Sequence, residues 1–534
     1  MKSAALRNAL TAWSLANLCF LPAWRAVLYP EFNGYHLKFP PRSINLLALM
    51  LDVLLLVVLF WAAATLARKY RGRLRKFARY CFLFAVFFAL SSVGKQLYGP
   101  LTAAAFVRVL GRGGFVIALL IVLSLLVLVL WRWTPQLVSS ARIVILVLLP
   151  FAVVTLSLTA AALLRDTSSG TTTLNNSANA AAQQPRIDNR VVWVIFDELD
   201  YHATFEARPA SLDLPELDRL RRESFFASTA YPPAGATTLS MPALITGRLV
   251  SAAYEISPNE LSLTFADENK PVPWSRQPNI FSRVQALGGT TAIVGWHHPY
   301  CRVIGNSLTK CWWDVTEAED HHSPRFGQSM GDYASRSLFT VPLLREVLAR
   351  QVRRHKRVEV DYVEFLDRVR AQAKEIVAES SLSLTLLHLP IPHPDCAYDR
   401  VRKEYRYDNR CNYFDSLALV DRTLGELRQV LESAGLWDKT TVLVSTDHWW
   451  RINIWRNEGR WTPEEAAISG NQIDNRIPFL LKLKNQREGM IYDRPFNTIV
   501  THDLILAVLR GELTTPREVA AWIDQRGALQ KTPY

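Results

Sequence analysis

Three short stretches, far apart in the chain, carry side chains suited to one metal-assisted chemistry at phosphorus or sulfur. The run VVWVIFDE ends at Asp197 and Glu198, ATTLSMPALITGR contains Thr237, and TTVLVSTDH ends at Asp447 and His448. Carboxylates, an imidazole and a hydroxyl are ligands for a divalent cation that grips a phosphoryl or sulfuryl oxygen. Zn²⁺ or Mn²⁺ fits this set best, with Ca²⁺ or Mg²⁺ as harder alternatives. A threonine hydroxyl becomes a nucleophile when a metal lowers its pKa or a base takes its proton, which gives Thr237 a catalytic role beside such a cation. The plainer alternative is that Thr237 and Thr238 cap the helix that follows. An aspartate after a strand is ordinarily a turn or a cap; the combination carries the signal, not any one stretch.

The elements that must position these residues are legible from their composition. Each acidic pair follows β-branched and aromatic residues, as a strand buried on both faces would. Carboxylates at the carboxyl ends of neighbouring strands in an open α/β sheet converge on one crevice. Strands are expected at 191–196, 290–295, 383–388, 441–446 and 477–483. Helices are expected at 214–224, 277–288, 360–378 and 501–510. Leu417, Val420, Leu424, Leu427 and Leu431 repeat at helical spacing ahead of Gly435, a carboxyl cap, so a further helix runs into the strand before Asp447. Alternation of this kind predicts a doubly wound α/β domain over residues 191–534. Asp200 is expected at the surface, as are His202, His321, His322 and His502 unless they pack in the interior.

The net charge of +13 is unevenly placed. Residues 1–165 hold 18 Lys and Arg against two acids. The basic excess therefore belongs to an apolar N-terminal region and argues against a nucleic-acid partner. Five apolar runs lie there, at 8–28, 44–67, 78–94, 113–131 and 143–164, which predicts an α-helical transmembrane bundle of about five spans over residues 1–165. RKYRGRLRKFAR (68–79) and the pair Arg132 and Arg142 mark cytoplasmic loops. An odd number of spans with the amino terminus inside then places residues after 165 outside. The segment 166–190 is small, polar and almost uncharged, as a flexible linker would be. Four cysteines follow it. They allow three pairings, and proximity favours Cys301–Cys311 and Cys396–Cys411 in an oxidising compartment.

These motifs resemble the alkaline phosphatase/sulfatase superfamily over roughly 190–512. Membrane runs, linker and external domain together resemble the bacterial phosphoethanolamine and phosphoglycerol transferases. ATTLSMPALITGR is similar to the sulfatase signature ending in Leu-Thr-Gly-Arg, and places Thr237 at the nucleophile position. Thr237, Ser240 and Pro242 also match the transferases' Thr-x-x-Ser-x-Pro pattern. The resemblance implies a metal site of Asp197, Thr237, Asp447 and His448, with Glu198 as an added ligand or a supporting residue. LLHLPIPHPD is similar to a transferase segment with two histidines five apart, which implies that His393 contacts the transferred group, with His388 beside it. GTTAIVGWHHPY resembles a sulfatase strand ending in Lys-Trp-His and puts His297 at the histidine position. Its lysine is missing, and Arg302 is the candidate to supply that cation.

Two departures stand out. The family has glycine after Asp-His, where this chain has Trp449 and Trp450. A later histidine has no counterpart between 449 and 501. Either one metal is held instead of two, or catalysis is altered. Tryptophans in WHHPY, CWWD, DHWWRINIW and GRW could line an entrance or equally pack in the core. A formylglycine mechanism is disfavoured, because a threonine stands at the nucleophile position.

The resemblance implies transfer of a phosphoethanolamine- or phosphoglycerol-type substituent from a phospholipid donor to an envelope glycan or lipid acceptor. The enzyme would sit in a bacterial inner membrane, multi-pass, with its catalytic domain periplasmic or extracellular. The rivals are a phosphate or sulfate ester hydrolase and a catalytically silent envelope-assembly protein that keeps the fold. The charge argument predicts that a reporter fused after residue 165 is active outside the cytoplasm, and one fused within 68–77 inside. The opposite pattern would refute the topology.

Overall fold

The structure is a computed structural model. It describes residues 2–28, 35–38, 43–69, 72–98, 103–166, 187–316, 330–338, 341, 358–393, 396–407, 410–457, 461–470 and 474–526. The chain divides into two compact units, and the division exchanges two segments relative to a single boundary near residue 165. Tyr35–Lys38 belong with the C-terminal unit, and His321–His355 with the N-terminal one. The expected linker lies largely outside the described residues.

The N-terminal unit is helical, with helices Lys2–Cys19, Leu21–Leu28, Ser43–Lys69, Arg73–Tyr98, Ala103–Val147, Leu149–Asp166 and Met330–Leu338. Its interior is partly polar. Asn8, Thr11, Ser14 and Asn17 repeat every three residues on one helix and are buried. Ser14 Oγ donates to the Ile145 carbonyl at 2.6 Å, and Thr155 Oγ1 to Asn17 Oδ1 at 2.9 Å. Among the described residues, Ser43–Lys69 and Leu128–Ala161 are long and apolar enough to cross a membrane. These two are the spans recognised among the described residues, against about five expected. The run 8–28 is divided between two helices, and many side chains of 113–127 lie outside the described residues. Arg132 and Arg142, expected in a loop, lie on the continuous helix Ala103–Val147, which carries Pro135 inside it.

The C-terminal unit is built on a nine-stranded sheet. Its strands are β1 (Arg190–Phe196), β2 (Phe225–Tyr231), β3 (Thr291–Gly295), β4 (Lys310–Trp313), β5 (Leu384–Leu389), β6 (Thr440–Ser445), β7 (Ile477–Lys482), β8 (Met490–Tyr492) and β9 (Phe496–Asn497). The order is β8-β2-β7-β6-β1-β5-β3-β4, with β9 alongside β2. β6, β1, β5, β3 and β4 are mutually parallel, and β7 turns antiparallel against β6. In β1, Trp193 pairs with Leu443 on one side and Leu386 on the other. Val191, Trp193 and Ile195 face one core, with Ile280 and Leu504 from helices Ile280–Ala286 and Thr501–Leu509. Val192, Val194 and Phe196 face a second core, with Leu366 and Leu417 from helices Val358–Val377 and Tyr413–Ser433. The period of two in β1 thus feeds two helical layers, which makes the domain doubly wound. A small antiparallel sheet (Val250–Ser257, Glu260–Phe265, Val272–Pro273) lies outside the expected elements. Both expected disulfides, Cys301–Cys311 and Cys396–Cys411, are formed.

Helix Tyr413–Ser433, which leads into β6, is tightly bounded. The Asn412 side chain accepts from the Phe414 and Asp415 amides, and the Asp415 side chain accepts from the Asn412 amide. At the other end Gly435 adopts φ 64°, and the Leu436 amide reaches back to the Leu431 carbonyl at 2.8 Å. Asn412→Ala should lower the stability of this unit by about 1 kcal/mol, read from denaturant unfolding. An unchanged midpoint would show that the cap is dispensable.

Candidate active site

β6, β1 and β5 end side by side, and their carboxyl ends present Asp447 and His448, Asp197 and Glu198, and His388. Thr237 arrives from another element, the first turn of helix Thr237–Thr246. The residue before it, Ala236, is extended (φ −153°, ψ 142°), and no side chain caps this helix. The capping alternative for Thr237 therefore fails. Its Oγ1 instead lies 3.2 Å from His448 Nε2 and 3.4 Å from Asp197 Oδ2.

The polar atoms around that hydroxyl test whether a cation belongs there. Asp197 and Asp447 are buried, and Asp197 Oδ1, Asp447 Oδ2 and His388 Nε2 have no hydrogen-bond partner among the described residues. Oxygen and nitrogen atoms of Asp197, His388 and Asp447 lie within 4.8 Å of one another, as do those of Asp197, Glu198 and His448. His448 Nε2 is 3.6 Å from Asp197 Oδ1 and 3.4 Å from Asp447 Oδ2. Buried acceptors left bare are costly, and a divalent cation at their focus satisfies them together. The set fits a metal. Burial, and then Asp447 and Glu198 alongside, push the Asp197 carboxyl well above the usual carboxylate range.

One imidazole is held in the form a ligand needs, and a second is positioned beside it. His448 Nδ1 donates to the Trp449 carbonyl at 3.0 Å, and a carbonyl can only accept, so Nε2 keeps its lone pair toward Thr237. His388 Nδ1 pairs with the Tyr300 hydroxyl at 2.9 Å, which leaves Nε2 pointing 3.9 Å from Asp197 Oδ2. Burial lowers the His388 pKa to about 4, so it is neutral at physiological pH. His388, expected to meet substrate, stands among the candidate ligands instead.

Glu198 is near but otherwise engaged. Its φ of 63° turns the chain, and its oxygens accept from Arg451 Nε and, at 2.7 Å, from Trp455 Nε1. That arrangement makes it the counter-charge of Arg451 first. Arg451 Nη2 also lies 3.5 Å from His393 Nε2. His393 is half-buried between the rings of Trp296 and Trp455, and burial, followed by Arg451, lowers its pKa to about 3. His297, at φ 61°, is 3.4 Å from Thr238 Oγ1, and burial holds its pKa well below the usual value. His297 thus lies beside Thr238, the residue after Thr237, and His393 beside Arg451.

Arg302 does not supply the expected cation. Its nitrogens donate to the carbonyls of Pro258, Leu37 and Tyr35, and its guanidinium stacks 4.7 Å over the Trp313 ring. It anchors the segment Tyr35–Lys38 and faces no substrate. Asp200, expected at the surface, is buried; desolvation raises its pKa to about 7, and it accepts from the Ala203 amide at 2.7 Å.

Sequence reasoning missed Arg451, His298 and Tyr35. Arg451 was visible as the first cation after Asp447 in DHWWR. His298 was adjacent to a named histidine, and its Nε2 donates to the Thr237 carbonyl at 3.2 Å while Nδ1 accepts from Tyr35 at 3.0 Å. Burial lowers its pKa to about 3, in keeping with that neutral tautomer. Nothing local in the sequence signals Tyr35. The paired tryptophans resolve as packing. Trp450 is buried and stacks 4.0 Å from Tyr413, whose hydroxyl donates to the Glu198 carbonyl at 2.7 Å. Trp449 covers Gly235 so closely that a Cβ there would lie 2.6 Å from its ring.

A family model described as Sulfatase matches residues 189–505, more than half of the chain. No curated protein matches. Similar solved structures include the PsFucS1 sulfatase from Pseudoalteromonas sp. (14% identity, 62% of this chain and 69% of that one, TM-score 0.40). Others are the lipoteichoic acid synthase LtaP from Listeria monocytogenes (15%, 60% and 72%, 0.36) and the phosphonate monoester hydrolase SpPMH from Silicibacter pomeroyi (14%, 60% and 73%, 0.36).

If the bare acceptors define a metal site, Asp447→Asn should weaken Zn²⁺ or Mn²⁺ binding by on the order of 100-fold or more in calorimetric titration, with the circular dichroism spectrum retained. Equal affinity in the variant would dissolve the assignment.

Proposed function

This chain belongs to the sulfatase family, and from that premise we propose a membrane-anchored, metal-dependent transferase that works through a threonine-bound intermediate. It would move a phosphoethanolamine- or phosphoglycerol-type substituent from a phospholipid to an envelope glycan or lipid on the outer face of a bacterial inner membrane. The observation that carries this reading is the Thr237 hydroxyl set between Asp197 and His448. Threonine is not the residue that a formylglycine mechanism matures, so its own oxygen is the natural nucleophile.

A divalent cation held by Asp197, Asp447 and His448, with His388 in reach, would polarise the phosphoryl group and lower the pKa of the threonine hydroxyl. The protein supplies the rest. Thr237 Oγ1 bonds to phosphorus as the ester bond to the donor's diacylglycerol breaks, and its proton passes to an acceptor beside it. The diacylglycerol leaves as an alcohol. An acceptor hydroxyl then attacks phosphorus and the Thr237 bond breaks. His298 would hold the Thr237 backbone during both steps, while His297, His393 and Arg451 would be the donors to the phosphoryl oxygens.

The membrane placement draws support from the helical unit. Asn8, Ser14 and Asn17 are buried, while Leu51, Leu55, Val58, Val147 and Leu164 are exposed. That inversion suits a lipid surround, where helices meet through small and polar residues. Anchoring also fits a lipid donor, because it raises the effective concentration of the substrate.

Intact-mass measurement after incubating the full chain with phospholipids should reveal an adduct on Thr237. Thr237→Ala should lose turnover by on the order of a thousandfold or more, and Thr237→Ser should retain part of it. An acceptor-dependent rate marks a transferase, and an indifferent one a hydrolase. Near-normal turnover in Thr237→Ala would end the covalent mechanism.

A further inference from the structure

We propose that the helical unit binds the headgroup of an anionic phospholipid at the cytoplasmic boundary of the membrane. The inference rests on the membrane reading above and is independent of the chemistry at Thr237. A cavity of about 590 Å³ opens among helices Lys2–Cys19, Ser43–Lys69, Arg73–Tyr98 and Ala103–Val147, and Arg68, Arg75, Arg79 and Arg142 line it. Its other walls are mainly alanine and phenylalanine side chains, with Asn8, Thr11 and Ser139 as polar points.

In the sequence these arginines lie at the edges of the expected apolar runs, although in the structure Arg142 sits within helix Ala103–Val147. Arg68 follows 44–67, Arg75 and Arg79 flank the start of 78–94, and Arg142 precedes 143–164. Sequence charge assigns all four edges to the inside, and the fold brings them around one cavity. Two are oriented by their neighbours: Arg68 Nη2 donates to the buried Asn8 Oδ1 at 2.8 Å, and the Arg142 guanidinium lies 5.7 Å over the Phe82 ring. Among the described residues no acidic side chain lines the cavity. Residues 1–165 hold only Glu31 and Asp52, and Asp52 accepts from Ser337.

Four guanidinium groups sharing one cleft repel each other unless an anion sits among them. Their forked donors match phosphate oxygens two at a time. The apolar walls select against a fully hydrated anion and suit the glycerol and first methylenes of a lipid, as in basic pockets between membrane helices on the cytoplasmic side. This site would lie in the leaflet opposite the one that the proposed reaction uses, so its lipid is not the donor.

Native mass spectrometry of the detergent-extracted full chain, titrated with phosphatidylglycerol, phosphatidylcholine or inorganic phosphate, tests the assignment. Phosphatidylglycerol should bind at least tenfold more tightly than phosphatidylcholine, and inorganic phosphate should not displace it. Arg79→Gln and Arg142→Gln should each weaken it about fivefold, the equivalent of about 1 kcal/mol per basic side chain. Arg132→Gln, on the same helix as Arg142 but outside the cavity, should leave it unchanged. Arg142→Lys should keep part of the affinity, separating lost charge from lost packing. Equal retention of both lipids, displacement by inorganic phosphate, or an equal loss in Arg132→Gln would overturn the site. A chain recovered in the soluble fraction without detergent would remove the membrane reading together with this site, whatever happens at Thr237.

Discussion

Two carboxylates at the ends of adjacent buried strands, with one oxygen of each left bare, are the constraint on which this domain turns. Like charges a few ångströms apart in a dry interior repel by several kcal/mol even at an effective dielectric near 20. The chain has not resolved this with a nearby lysine. Its closest guanidinium, Arg451, is committed to Glu198. Thr237 Oγ1 reaches Asp197 Oδ2 and two backbone amides reach Asp447 Oδ1, but Asp197 Oδ1, Asp447 Oδ2 and His388 Nε2 find no partner among the described residues, a focus that a proton or a cation would settle. A site of that kind is unfavourable when empty and stabilised when loaded, so metal binding and the integrity of this end of the sheet are linked.

The placement of every ligand follows from elements that do other work. β1 is central because its side chains alternate between two apolar cores, and this fixes where Asp197 emerges. Parallel register with β6 then sets Asp447 beside it. Trp449 and Trp450, a departure from the family's glycine, act as braces. The Trp449 carbonyl sets the His448 tautomer, and its ring lies over Gly235, two residues before Thr237. Trp450, stacked on Tyr413, steadies the turn at Glu198 through the Tyr413 hydroxyl. A glycine in place of either tryptophan would need other packing to hold the same atoms.

How much of this was legible depended on the range of the forces involved. The five expected strands were readable within a residue, because burial on both faces imposes local composition, and the helices between them within about four. Thr237, Asp197, Asp447 and His448 were readable because each lies at the end of such an element. β2, β4, β8 and β9 were not: Lys310–Trp313, Met490–Tyr492 and Phe496–Asn497 are too short to show a period, and Phe225–Tyr231 mixes small and polar residues into its run. Arg302 was misassigned for a related reason. Charge type suggested a substrate contact, but its donors go to carbonyls of Tyr35 and Leu37, which lie more than 260 residues earlier in the sequence. Asp200 was misread because its partners, the Ala203 amide and an aromatic cluster, leave no mark in composition.

The residues at 35–38 show why a soluble fragment of this chain is not equivalent to its catalytic unit. Lys38 pairs with buried Asp314, His36 meets Glu255 at 2.8 Å, and Arg302 holds the backbone of Tyr35 and Leu37. Tyr35 is fully buried and donates to His298, which in turn donates to the carbonyl of Thr237. A threonine carries its nucleophilic oxygen on a branched Cβ, so its rotamer choice is narrow and its reach depends on where the backbone sits. Fixing the Thr237 carbonyl through a neutral imidazole fixes that backbone. The tyrosine that orients the imidazole comes from a stretch between the first two apolar runs. The backbone of Thr237 is thus tied to a segment that the sequence assigned to the membrane region but that packs as part of the C-terminal unit.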